Sequence, residues 1–118
     1  MTDITRIETN ARMSRVVVSN GTVYIGGLTA GDATQDIAGQ TAQVLTKIEA
    51  YLAQGGSDKE HLLSAQIWLK DIDRDFAGMN AVWDKWLPAG SAPVRATGES
   101  KLANSNLLVE IIVIARVK

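Results

Sequence analysis

The chain has 118 residues, 46% hydrophobic and 21% charged, the balance of one globular domain rather than of a disordered segment. Twelve Lys and Arg against thirteen Asp and Glu leave a formal charge of −1, which argues against a nucleic-acid partner bound by phosphate neutralisation. With no Cys and a single histidine, His61, disulfides, thiolate sites and a multi-histidine metal centre within one chain are excluded, and no metal is expected.

The opening MTDITRIETN reads as a polar lead without the apolar core of a secretory signal. No apolar run approaches the roughly 20 residues that span a bilayer, so a cytoplasmic protein with no membrane partner is expected. Val16 to Ser19 then meets Asn20-Gly21 and Thr22 to Ile25, a strong hairpin signal because both central positions of such a turn need positive φ. Gly26-Gly27 ends the second strand as a bulge or turn, or as bare backbone that lets a small ligand approach. Thr29 to Asp36 reads as a loop.

Ile37, Thr41, Val44, Leu45, Ile48 and Leu52 recur at helical steps, with Gln40, Gln43, Lys47 and Glu49 mainly on the polar side. Gly55-Gly56 supplies the stop, and Ser57-Asp58-Lys59-Glu60 is a capping pattern for one short turn. Ala65 to Leu69 alternates as a strand. Asp75 is positioned to cap a second helix whose apolar stripe is Phe76, Met79, Val82, Trp83 and Trp86, closed by Pro88 and Gly90. Val94 to Glu99 and Leu107 to Val117 complete the strands. The order β-β-α-β-α-β-β predicts a single α+β domain over residues 1–118, one mixed sheet with both helices on one face.

Both faces of the last strand are largely apolar: Val109, Ile111, Val113 and Ala115 alternate with Leu108, Ile112 and Ile114. Two helices cover only one face, so another copy of the chain is expected on the other. Glu110 is a carboxylate in that second row and calls for a cationic or hydrogen-bonding partner.

Asp71, Asp73 and Asp75 open like a calcium loop, but Phe76 and Val82 stand where glycine and glutamate are needed, which leaves a polar turn and helix cap. His61 reads as a turn residue, and Trp83 and Trp86 as core. Asn80 sits mid-helix beside the apolar stripe, an unfavoured place for asparagine. Arg95, in Ala92-Pro93-Val94-Arg95-Ala96-Thr97, offers a planar charged fork that fits a carboxylate. It pairs in this reading with Glu110 on an adjacent C-terminal strand, either as a structural ion pair at an interface or as part of a site.

Asn20-Gly21 through Gly26-Gly27, Gln40 to Leu52 with Gly55-Gly56-Ser57, and Trp68-Leu69-Lys70-Asp71 come in a recognisable order. Asp75 to Asn80, Ala92 to Thr97 and Val109-Glu110-Ile111 continue it. Together, over nearly the whole length, they resemble the RidA (YjgF) family of reactive-intermediate deaminases. The resemblance implies a chorismate-mutase-like fold, a homotrimer with clefts between subunits, and no cofactor. It implies hydrolysis of small enamines and imines of the 2-aminoacrylate type to 2-oxo acids and ammonia. In that pattern Arg95 holds the substrate carboxylate and Glu110 positions or activates water. Asn80 lies near the cleft, Gly27 lines it, and Thr97 adds a hydroxyl. The chain is similar to a divergent branch, since Asn10 to Ser14 lacks the usual tyrosine and Gly26-Gly27-Leu28 lacks the usual serine. The alternative is a non-catalytic trimeric module that binds small carboxylate metabolites.

Overall fold

Asn20 and Gly21 take φ of 53° and 78°, the two left-handed positions of a tight hairpin turn. They join β2 (Ser14–Ser19) to β3 (Thr22–Leu28). The computed structural model, which describes residues 3–118, adds a strand ahead of this hairpin. β1 (Ile4–Thr9) pairs antiparallel with β2, in the stretch expected to be a polar lead. Almost all of its residues are exposed, so no core-facing alternation marks it. Edge pairing of β-branched Ile and Thr carries it instead.

α1 (Ile37–Gln54) starts at Asp36, whose side chain accepts from the Gly39 amide, and ends at Gly55. It buries Thr41, Val44, Leu45, Ile48 and Leu52 as the stripe predicts, and also Gln40, expected on the polar side. At Gly55 a Cβ would lie 2.7 Å from Val23 Cγ1, so only glycine lets the helix end press on β3. A short 3-10 turn (Lys59–His61), capped by Asp58, leads into β4 (Leu62–Leu69).

α2 (Ile72–Trp86) is capped by Asp71, which accepts from the Arg74 amide. The expected cap, Asp75, lies inside the first turn, because the helix begins almost as soon as β4 ends. There it is buried and takes a two-pronged bond from Arg74 at 3.0 and 2.9 Å.

β5 (Val94–Glu99) and β6 (Val109–Arg116) complete a six-stranded sheet of order β1-β2-β3-β6-β4-β5. β5 runs parallel to β4 and every other pair is antiparallel. β5 and β6 are therefore not neighbours, contrary to expectation. The α2 crossover returns the chain beside β4, and the 100–108 segment carries it back to insert β6 between β3 and β4. A strand apolar on both faces belongs in such a central position.

Both helices pack on one face, α1 over β3 and β6 and α2 against α1 and β4. Val109, Ile111, Val113 and Ala115 are fully buried beneath them, while Glu110, Ile112 and Ile114 are only partly covered on the other face. Tyr24, level with Ile114 on β3, is 45% exposed there. The α+β sheet with two helices on one side is as the pattern predicts, with one strand more. Among the described residues no helix is long and apolar enough to cross a membrane.

Candidate functional site

Arg95 is the second residue of β5 and lies level with Ala65 of β4. Ala65 is buried under the helices, and residues directly opposite in a ladder share a face, so Arg95 points to the helix side. There it reaches α2: Nη1 donates to Asn80 Oδ1 at 2.7 Å. The guanidinium carbon lies 5.9 Å from the centre of the Phe76 ring and 5.7 Å from that of Trp83. Phe76, Asn80 and Trp83 are spaced by four and three, which puts them on one face of the helix.

Arg95 is half-buried, and among the described residues no carboxylate lies within ion-pair distance of it. One of its donors is spent on an amide oxygen, and the rest of a five-donor fork remains. Thr97, two residues along the same face, has a buried hydroxyl without a hydrogen-bond partner among the described residues.

Glu110 stands level with Trp68, between the fully buried Val109 and Ile111, and so projects from the opposite face. The β3–β6 register slips between Ile25 and Leu28, a bulge at Gly26-Gly27 that brings Gly27 against Glu110. A Cβ on Gly27 would sit 2.9 Å from Glu110 Cδ. The glycine pair is the expected bulge, and the group in close approach to Gly27 is a side chain of the same protein.

The five candidate residues thus form two clusters. Arg95, Asn80 and Thr97 gather on the helix side of the edge strand β5, whereas Glu110 and Gly27 occupy the other face beyond β4. The expected Arg95–Glu110 ion pair does not form within a chain: β4 separates their strands, and the two side chains leave opposite faces. Phe76 and Trp83 belong to the Arg95 cluster although the sequence marks them only as an apolar stripe. Their signal is the 76–80–83 spacing with asparagine between the rings.

His61 sits in the 3-10 turn with Nδ1 2.6 Å from Asp58 Oδ1. That hydrogen bond, with the nearby Lys118 ammonium, holds the Asp58 carboxyl below the usual aspartate range. Asp71, Asp73 and Asp75 supply the cap and first turn of α2.

A family model described as Endoribonuclease L-PSP matches residues 3–117. The RutC family protein YoaB of Escherichia coli K12 is 44% identical over 114 residues, covering 97% of this chain and 98% of YoaB. A RutC family protein of Haemophilus ducreyi is 40% identical over 97% of each chain. Among solved structures, a YjgF-family protein from Neisseria meningitidis superposes with a TM-score of 0.95 at 41% identity, covering 98% of this chain and 96% of that one. A YjgF/YER057c/UK114-family protein from Mycobacterium tuberculosis gives 0.87 at 29% identity, covering 98% and 100%. A match along almost the entire chain in both sequence and fold makes this protein a member of the YjgF/RutC family.

Proposed function

We propose that the protein hydrolyses small enamines and imines of the 2-aminoacrylate type to 2-oxo acids and ammonia, without a cofactor, in clefts between the subunits of a homotrimer. The observation that carries this reading is Arg95: a half-buried guanidinium held by neutral groups and, among the described residues, lacking a counter-ion. Such a cation suits a ligand carboxylate, which the fork takes bidentately. Asn80 keeps the fork in place, and the unpartnered Thr97 hydroxyl offers a further contact beside it.

Arg95 stays protonated and so orients the substrate rather than acting as base. Glu110, supplied by a neighbouring copy, accepts a proton from water as its oxygen bonds to the imine carbon and the C=N electron pair moves to nitrogen. Returning that proton to nitrogen gives the carbinolamine, and moving its hydroxyl proton to nitrogen through the same carboxylate lets the C–N bond break, releasing ammonia as the carbonyl forms. Glycine at position 27 leaves the Glu110 carboxylate its space. The opposite faces on which Arg95 and Glu110 stand support a partner copy, and the apolar row around Ile112 and Ile114 suits the contact.

Generating 2-aminoacrylate with a dehydratase and trapping it with semicarbazide tests the reading. The wild type should remove the imine faster than buffer, and Arg95→Ala and Glu110→Ala should fall to the uncatalysed rate. No acceleration across small, branched and aromatic imines would sink it.

One observation favours a second reading, a binding module for small carboxylates. Where the resemblance calls for a tyrosine there is Met13, whose methyl lies beside Gly26 and brings no hydroxyl. In that case Arg95→Ala loses the ligand while Glu110→Ala changes nothing. The ribonuclease named by the family model finds less support here, with a formal charge of −1 and one histidine, already paired with Asp58.

A further inference from the structure

We infer that Phe76 and Trp83 are positioning residues for Arg95: their rings hold the guanidinium so that its unspent donors face the ligand carboxylate. The inference rests on the anchor role proposed for Arg95. An arginine at a binding site faces two opposed demands. It must be held still, since a freely rotating fork loses orientation when it binds, yet a carboxylate that held it would also neutralise it.

Among the described residues, only neutral groups hold the guanidinium. The guanidinium carbon lies over Phe76 and Trp83 at 5.9 and 5.7 Å, and among the described residues the one side-chain acceptor on the guanidinium is the amide oxygen of Asn80. Ring faces attract the cation through their quadrupoles without cancelling its charge. The three residues lie on consecutive turns of α2, so one rigid helix supplies the whole clamp.

The two rings differ in kind. Trp83 is 3% exposed and packs at 5.5 Å against Trp86, a fixed wall that belongs to the core. Phe76 is 42% exposed, so core burial does not account for a large aromatic at that position, and contact with Arg95 does. Phe76 is therefore the exposed side of the clamp, and the one that can be changed without opening the core.

The test uses the intact assembled protein and 2-oxobutanoate as the probe, with affinity read by NMR titration, so it does not depend on turnover. Phe76→Leu should weaken binding roughly two- to fivefold, the worth of a partly exposed cation–π contact, and Phe76→Tyr should restore it. In an Arg95→Gln background, Phe76→Leu should cost nothing further. The Arg95 Nε–H resonance, moved by ring currents in the wild type, should return toward the free-arginine position in Phe76→Leu and stay put in Phe76→Tyr. Trp83→Phe, which keeps a ring but a weaker cation–π face, should lower the melting temperature and also weaken 2-oxobutanoate binding, by no more than Phe76→Leu does.

An unchanged affinity and resonance in Phe76→Leu would overturn the clamp while leaving the anchor role intact. So would an equal loss in the Arg95→Gln background, which would make Phe76 an independent ligand contact. If Arg95→Gln alone bound 2-oxobutanoate as the wild type does, the anchor reading would fail, and the clamp with it.

Discussion

Gly27 and Glu110 are a matched pair: the bulge in β3 brings a residue without a Cβ against a carboxylate that would otherwise be displaced. Gly27→Ala should therefore leave the fold largely unchanged while moving Glu110. If Glu110 serves as the proton acceptor, imine turnover should drop by about 10²-fold or more, the usual worth of a positioned base. Circular dichroism melts beside the semicarbazide-trapping assay check this, and full turnover in a folded Gly27→Ala would argue against the role. Asp58 offers a separate test. Its carboxyl is held below the ordinary range chiefly by the hydrogen bond from His61. Its charge therefore adds stability above about pH 4, and that stability is lost as the pH falls through the folded-state value. Asn caps a helical turn as well as Asp does, so Asp58→Asn isolates the charge. Its melting temperature should lie below that of the wild type near neutrality and converge with it in acid. A gap that widened in acid would reverse the sign and contradict the assignment.

Gln40 ties α1 to the two loops around it. Its Nε2 is shared among the carbonyls of Ala33, Gln35 and Asn106, and its Oε1 accepts from the Leu108 amide. Gln40→Leu would bury those groups unpaired and should cost about 3 kcal/mol in urea unfolding, at one to three per orphaned group; a loss under 1 would show that the loops find other partners. The same glutamine marks where reading the chain stops short. The Asn20-Gly21 hairpin and the Val44, Ile48, Leu52 stripe are legible because their causes are local: two positive φ angles and a 3.6-residue period. Gln40 looks solvent-facing by type, and only loops folding back from residues 33–35 and 106–108 make it a core group. β1 leaves no trace in the pattern because an exposed edge strand has no buried side. Insertion of β6 between β3 and β4 is a long-range event that no short motif announces, and it undoes the expected pairing of the Arg95 and Glu110 strands. Arg95, Glu110, Asn80, Thr97 and Gly27 are legible as candidate residues. Their division between two faces becomes visible only once the register is known.

That division gives the molecule its character. One side of the sheet carries two helices and a cation set against neutral groups. The other carries a carboxylate among Tyr24, Ile112, Ile114 and Trp68, none of them fully covered in a single chain. A contact between unlike surfaces of successive copies makes a ring when the rotation between copies closes, and the proposed homotrimer is such a ring, with the helix-side edge of one copy beside the open face of the next. On the proposed function, a working site takes Arg95 from one subunit and Glu110 from another. Mixed oligomers test it directly: Arg95→Ala and Glu110→Ala chains are refolded together and mixing is verified by native mass spectrometry. Each variant alone should be inactive. The equimolar mixture should recover roughly a quarter of wild-type imine hydrolysis, because one interface in about four pairs an intact arginine with an intact glutamate in a ring of random composition. Mixed oligomers as inactive as their parents would contradict the claim.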